Sequence, residues 1–138
     1  MRYFQWNEDL MTGVALLDEQ HRTLLAMGEN LRQAFLHGVE SDQAVQLLES
    51  LSHYSDFHFA TEEAWLEANA APYLHKQHRL HQDILQKMGD KILAIRKHQL
   101  PATAGIAVYI VEGIRRHILE EDREAIHWSR REFRVLAE

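Results

Sequence analysis

The chain has 138 residues, with 15 Lys and Arg against 21 Asp and Glu and a net charge of −6. One domain fits that length, and it can bury a core without covalent staples. The absence of cysteine excludes a disulfide scaffold, a thiolate zinc site, an iron–sulfur cluster and a thiol nucleophile, and the acidic balance argues against nucleic acid as a partner.

No apolar run reaches the roughly 18–20 residues of a membrane span. The start, Met1 to Glu8, lacks the apolar stretch of a signal peptide, so a cytoplasmic location is expected. The anomaly is histidine: there are 10, and imidazole is the commonest protein metal ligand.

Residues 1–17 read as an arm. Tyr3, Phe4, Trp6, Leu10 and Met11 are apolar but not helically spaced, which suggests a segment draped over a core. A first helix is expected from Asp18, with Leu24, Leu25, Met27, Leu31, Ala34 and Phe35 as its apolar stripe and His37-Gly38 as its end. A second starts at Ser41 or Asp42 and runs through Leu48, Leu51, Tyr54, Phe57, His58 and Glu62 to Trp65. Residues 67–71 form the turn, and Pro72 suits the first position of a third helix. That helix carries Leu74, His78, His81, Ile84, Met88, Ile92 and Ile95 and ends near His98. Pro101 forces a break before a fourth helix with Ile106, Tyr109, Ile110, Ile114, His117 and Ile118. After Asp122 the chain stays helix-like and apolar through Trp128, Phe133 and Leu136. The expected fold is an all-α, up-and-down antiparallel four-helix bundle over 18–128. It has an N-terminal arm (1–17) and an extended C-terminal helix whose tail (129–138) could link to an output domain.

The chemistry-bearing residues recur helix by helix. His58 and Glu62 are four apart, about 400° of helix, so they share a face. His117 and Asp122 are five apart, and their directions differ by ~140° in a regular α-helix, so both reach one site only if the local geometry helps. His21 follows Asp18-Glu19-Gln20, and the third helix supplies His75, His78 and His81. Several imidazoles and two carboxylates buried without a cation would cost several kcal/mol of desolvation per charge, which a pair of irons would offset.

Asp18-Glu19-Gln20-His21, His58-Phe59-Ala60-Thr61-Glu62-Glu63, the proline-led histidines of the third helix, and His117-Ile118-Leu119-Glu120-Glu121-Asp122 together resemble the hemerythrin family, specifically its bacterial members. Phe4-Gln5-Trp6-Asn7 resembles the family's start as well. The resemblance implies two iron ions, oxo- or hydroxo-bridged when oxidised. His21 and His58 would hold one iron, His81 and His117 the other, and Glu62 and Asp122 would bridge them. It implies dioxygen as the ligand, with nitric oxide or small anions as alternatives. No added acid or base stands at a defined spacing, and there are two bridging carboxylates rather than the four of typical ferritin-like oxidases, so no enzymatic activity is expected. Family members are often fused to signalling outputs such as diguanylate cyclases, and an altered ligand set on the third helix together with the apolar, charged tail after Asp122 makes an oxygen or redox sensor the expected function. A free-standing oxygen carrier or iron buffer is the alternative, with a di-iron oxidase or peroxidase behind it.

The sequence departs from the family on the third helix. The family's His-x-x-x-His spacing puts Gln77 where a histidine is expected, and a histidine stands one position later. His78 could replace the lost ligand after a small helix rotation, since residues three apart can meet on one face. Alternatively Gln77 leaves a weak or open position. The remaining expectations are plainer. His37, His53, His75, His98 and His127 read as surface or structural, and Glu63 and Glu121 as solvated charges. Trp65, Tyr109 and Trp128 read as core, and Leu25, Ile114 and Ile118 as candidates for a dry apolar wall.

Overall fold

The computed structural model describes residues 4–69 and 72–127. Four α-helices carry the fold: α1 Ala15–Leu36, α2 Ser41–Ala68, α3 Leu74–Arg96 and α4 Ala104–His117. Each packs on the next and α4 closes back on α1, giving a four-cornered bundle. A π-helical turn, Ile118–Asp122, extends α4, and helical backbone continues through His127. Residues 70–71, Trp128 and the tail 129–138 lie outside the described residues.

The arm is draped as the sequence suggests. Asn7 caps a 3-10 turn, Glu8–Leu10, by accepting from the Asp9 amide at 2.8 Å. Phe4 and Leu10 are buried in the main core, and the Phe4 amide donates to Glu29 of α1 at 2.9 Å. The first helix begins at Ala15, three residues earlier than the sequence suggests. Asp18 is not its N-cap. Its carboxylate reaches back to the Thr12 amide and hydroxyl, both at 2.8 Å, and to the Gly13 amide at 3.1 Å. A carboxylate in the first turn also suits the positive end of the helix dipole, and the earlier start lets Leu17 bury against Leu66 and Ile126. Gly38 takes φ 87° just past α1, as a left-handed helix end requires. The third helix starts at Leu74, with Pro72 in the turn before it.

The main core runs along the bundle from Leu24, Leu25 and Leu31 through Leu48, Leu51, Met88 and Ile95 to Val111, Ile114 and Ile118. A second cluster of Leu17, Leu66, Ala125 and Ile126 closes the other end. The polar site lies between them along the chain's own register, at His21, His58, His81 and His117. Gly28 brings α1 against α4: a Cβ there would meet Val111 Cγ1 at 2.5 Å. Tyr109, expected in the core, is 54% exposed, and Phe57 is 57% exposed. Tyr109 lies at the exposed edge of the α3/α4 seam and carries Lys91 over its ring at 5.2 Å.

Candidate metal centre

Each of the four helices contributes one imidazole to a single buried cluster, and two carboxylates join them. His21, His58, Glu62 and His81 are 0% exposed, Asp122 1% and His117 2%. Donor atoms of His21, His58, Glu62 and Asp122 all lie within 4.8 Å of one another, as do those of Glu62, His81, His117 and Asp122.

The oxygens divide the cluster in two. Glu62 Oε2 lies 3.2 Å from His21 Nε2 and 3.1 Å from His58 Nε2, while Glu62 Oε1 lies 3.0 Å from His81 Nε2. Asp122 Oδ2 lies 3.3 Å from His21 Nε2, and Asp122 Oδ1 lies 2.8 Å from His117 Nε2. Each carboxylate therefore gives one oxygen to the His21/His58 half and the other to the His81/His117 half. That is the geometry of carboxylates shared by two cations.

The π-helical turn makes the last contact possible. Its hydrogen bonding runs from Ile118 C=O to the Arg123 amide, five residues on. The wider turn brings residues five apart onto one face, as an α-helix does for residues four apart. His117 and Asp122 thus both point inward.

Outer acceptors set the rings. His58 Nδ1–H donates to Gln20 Oε1 at 2.6 Å, His81 Nδ1–H to Glu63 Oε2 at 2.9 Å, and His117 Nδ1–H to Glu121 Oε1 at 3.2 Å. A proton fixed on Nδ1 leaves the inward Nε2 with its lone pair, as metal-ligating imidazoles require. Phe59 stacks on the His81 ring at 4.0 Å and stands edge-on to His117 at 6.1 Å.

The electrostatics call for positive charge. Burial would depress the His21 imidazole, but Asp122 and Glu62 outweigh it and lift His21 from 6.5 to about 9. Burial opposes His117 too, and Asp122, Glu121 and Glu62 raise it to about 10. Burial alone would raise Glu62, yet the surrounding imidazoles of His21, His58 and His81 hold it well below the usual carboxylate range. Several inward atoms nonetheless lack hydrogen-bond partners: His58 Nε2, His117 Nε2 and both Asp122 oxygens. They sit close to one another without hydrogen-bond angles, converging on common points. Four imidazole nitrogens and two carboxylates, converging in this way, fit a pair of iron ions.

The structure brings together His21, His58, Glu62, His81, His117 and Asp122. It does not bring in His78. That side chain is 57% exposed, and its Nδ1 meets Glu63 Oε1 at 2.6 Å on the outside of the bundle. The physical reason is direction: His78 is ~60° around the helix from the inward-facing His81. Gln77 takes the inward register instead, 2% exposed, with its amide N–H donating to the Glu121 carbonyl at 3.1 Å. Glu63 and Glu121, expected as solvated charges, are the outer acceptors of His81 and His117. Glu121 stands four residues after His117, a same-face spacing that signalled the contact; Gln20 and Phe59 gave no comparable signal.

Residues 12–128 match the Hemerythrin HHE cation binding domain. A bacteriohemerythrin of Clostridium acetobutylicum is 27% identical over 127 residues, covering 89% of this chain and 98% of that protein. A bacteriohemerythrin of Pseudomonas aeruginosa is 27% identical over 90 residues, 65% of this chain and 58% of that longer protein. Among solved structures, wild-type hemerythrin superposes with a TM-score of 0.80 at 17% identity, covering 88% of this chain and 93% of that one. A hemerythrin mutant gives 0.81 at 18% identity, covering 89% and 94%.

Proposed function

Because this chain belongs to the hemerythrin family, we propose that it is a non-haem di-iron domain that binds dioxygen and serves as an oxygen or redox sensor. The observation that carries this reading is the division of the Glu62 and Asp122 oxygens between two pairs of imidazoles. In it, His21 and His58 would hold one iron and His81 and His117 the other, with Glu62 and Asp122 available to both. Two irons so held would supply the electrons that dioxygen takes up on binding.

The protein's own part is to fix the ligands and keep water out. Gln20, Glu63 and Glu121 hold three rings with Nε2 inward. Leu25, Ile114 and Ile118, each 1% exposed, belong to the apolar core that encloses the bundle interior. No residue in this reading acts as a catalytic acid, base or nucleophile.

Sensing is favoured over carriage by the His81/His117 half. Gln77 supplies no third imidazole there, and two carboxylates, Glu63 and Glu121, accept from its rings. Anionic acceptors make an imidazole more basic and a better donor to a ferric ion, which promotes lasting oxidation over reversible release. The implied partner is a signalling output domain, fused or docked. Burial of all six cluster residues favours the second reading, a free-standing oxygen carrier or iron buffer, because exclusion of water slows loss of a bound ligand.

The test is iron per chain together with the optical spectrum, followed from the anaerobic reduced protein into air. Two irons with rapid passage to a stable ferric spectrum support the sensor. Two irons with a persistent oxygenated spectrum support the carrier. Fewer than two irons defeat the di-iron reading.

A further inference from the structure

Gln77 does more than omit a ligand. It lies one helical turn before His81, is 2% exposed, and commits its Nε2–H to the Glu121 carbonyl in the π-helical turn. That bond fixes the amide. Its Oε1 is left a buried acceptor with no hydrogen-bond partner among the described residues. Buried acceptors in folded proteins are satisfied with few exceptions, and an orphan of this kind marks a place for a donor. A neutral carboxamide oxygen is also a poorer partner for iron than the imidazole nitrogen expected in this register.

A cavity also lies beside the same half, on the outer side of His117. It has a volume of about 410 Å³ and opens between α3 and α4, lined by Ile84, Met88, Ile110 and Gly113 and touching His117 and Glu121. A Cβ on Gly113 would meet nothing within 4 Å. Glycine is therefore not demanded by packing at this point of α4, and its lack of a side chain leaves the cavity unfilled.

We propose that Gln77 makes the His81/His117 half a second small-ligand site: an exchangeable coordination position, normally taken by a water whose hydrogen Gln77 Oε1 accepts, and open to small anions entering between α3 and α4. The proposal rests on the di-iron reading above. It gives this chain one exchangeable position in each half, since each half has two imidazoles and a share of the same two carboxylates.

Azide binding to the oxidised, iron-loaded protein tests it, with iron counted first. The expected result is two azides per two irons in the wild type, and one in Gln77→His with two irons retained. In Gly113→Phe, which fills the cavity from a residue outside the ligand cluster and must be checked to retain two irons, the second azide is expected to bind at least tenfold more slowly while the first is unchanged. Two irons with a single azide in the wild type overturn this proposal and leave the di-iron reading standing. An unchanged second rate in Gly113→Phe overturns the route between α3 and α4. Fewer than two irons in the wild type overturn both readings before azide is added.

Discussion

The two halves of the centre match in their inner atoms and differ in what stands behind them. Each has two imidazole nitrogens and one oxygen from each of Glu62 and Asp122. Behind the His21/His58 half there is no anionic acceptor among the described residues: His58 donates to the neutral amide oxygen of Gln20, and His21 Nδ1 has no hydrogen-bond partner. Behind the His81/His117 half stand two carboxylates, Glu63 and Glu121. The half that lacks an expected imidazole is thus the half whose remaining imidazoles donate to carboxylates. The added anions stand at the ring nitrogens that face away from the cluster.

The comparison breaks most completely at Glu62, the residue both halves share through separate oxygens. Glu62→Ala removes an oxygen from each half and leaves His21, His58 and His81 without their common partner. Iron is expected to fall from two per chain to below one, measured by metal analysis after loading. A variant that keeps one tightly held iron would mean that the halves are independent sites rather than a bridged pair.

A smaller effect separates the halves. Glu63→Gln and Glu121→Gln remove the outer anions from one half only, and loss of such a partner typically costs about 10–100-fold in metal affinity. Gln20→Leu removes a neutral acceptor from the other half and is expected to cost less than either. Competition with a chelator reads all three. Equal losses would show that the charge of the outer acceptor does not matter.

This contrast explains what could be read in the sequence. The four helices were legible because their apolar residues keep a period of 3.6, and the buried cluster in part because His58 and Glu62 share a face at four residues' spacing. His117 and Asp122 were harder. Their spacing of five fits one face only through the π-helical turn, which no propensity in Ile118–Asp122 announces. Glu63 was misread because it adjoins Glu62 and so points elsewhere on a regular helix, and Glu121 because it was weighed against its neighbour Asp122 rather than against His117, four residues before it. They reach the outer ring nitrogen, which faces a different direction from the inner one. His78 was ambiguous for the complementary reason, since spacing of three permits contact on one face but does not compel it.

Protons are held in both halves of the iron-free cluster. His21 is lifted to about 9 and His117 to about 10, each from 6.5. Because both values rise on folding, their stabilisation is fully present below about pH 6.5 and lost as pH climbs through 9 and then 10. Glu62 is depressed from 4.5, so its contribution is present above about pH 4.5 and lost as pH falls. Iron-free protein should therefore have its highest urea midpoint between about pH 4.5 and 6.5, and a declining one toward pH 10. Iron-loaded protein, whose imidazoles are already deprotonated, should lose the alkaline decline. Matching alkaline profiles with and without iron would count against these imidazoles as ligands.

The smallest expected effect belongs to His78, and it decides between two roles for one residue. As an inner ligand, His78→Ala would remove iron from the His81/His117 half and change the oxidised spectrum. As the structure has it, His78 is 57% exposed and touches the centre only through Glu63, whose other oxygen accepts from His81. An exposed ion pair is worth about 0–1 kcal/mol, or at most about fivefold in affinity. His78→Ala should therefore keep two irons and an unchanged oxidised spectrum, with a loss in chelator competition smaller than that of Glu63→Gln. Glu63 keeps its bond to His81 when His78 is gone, so the double variant should behave like Glu63→Gln alone. A further loss in the double variant would mean that His78 reaches the site by a route other than Glu63.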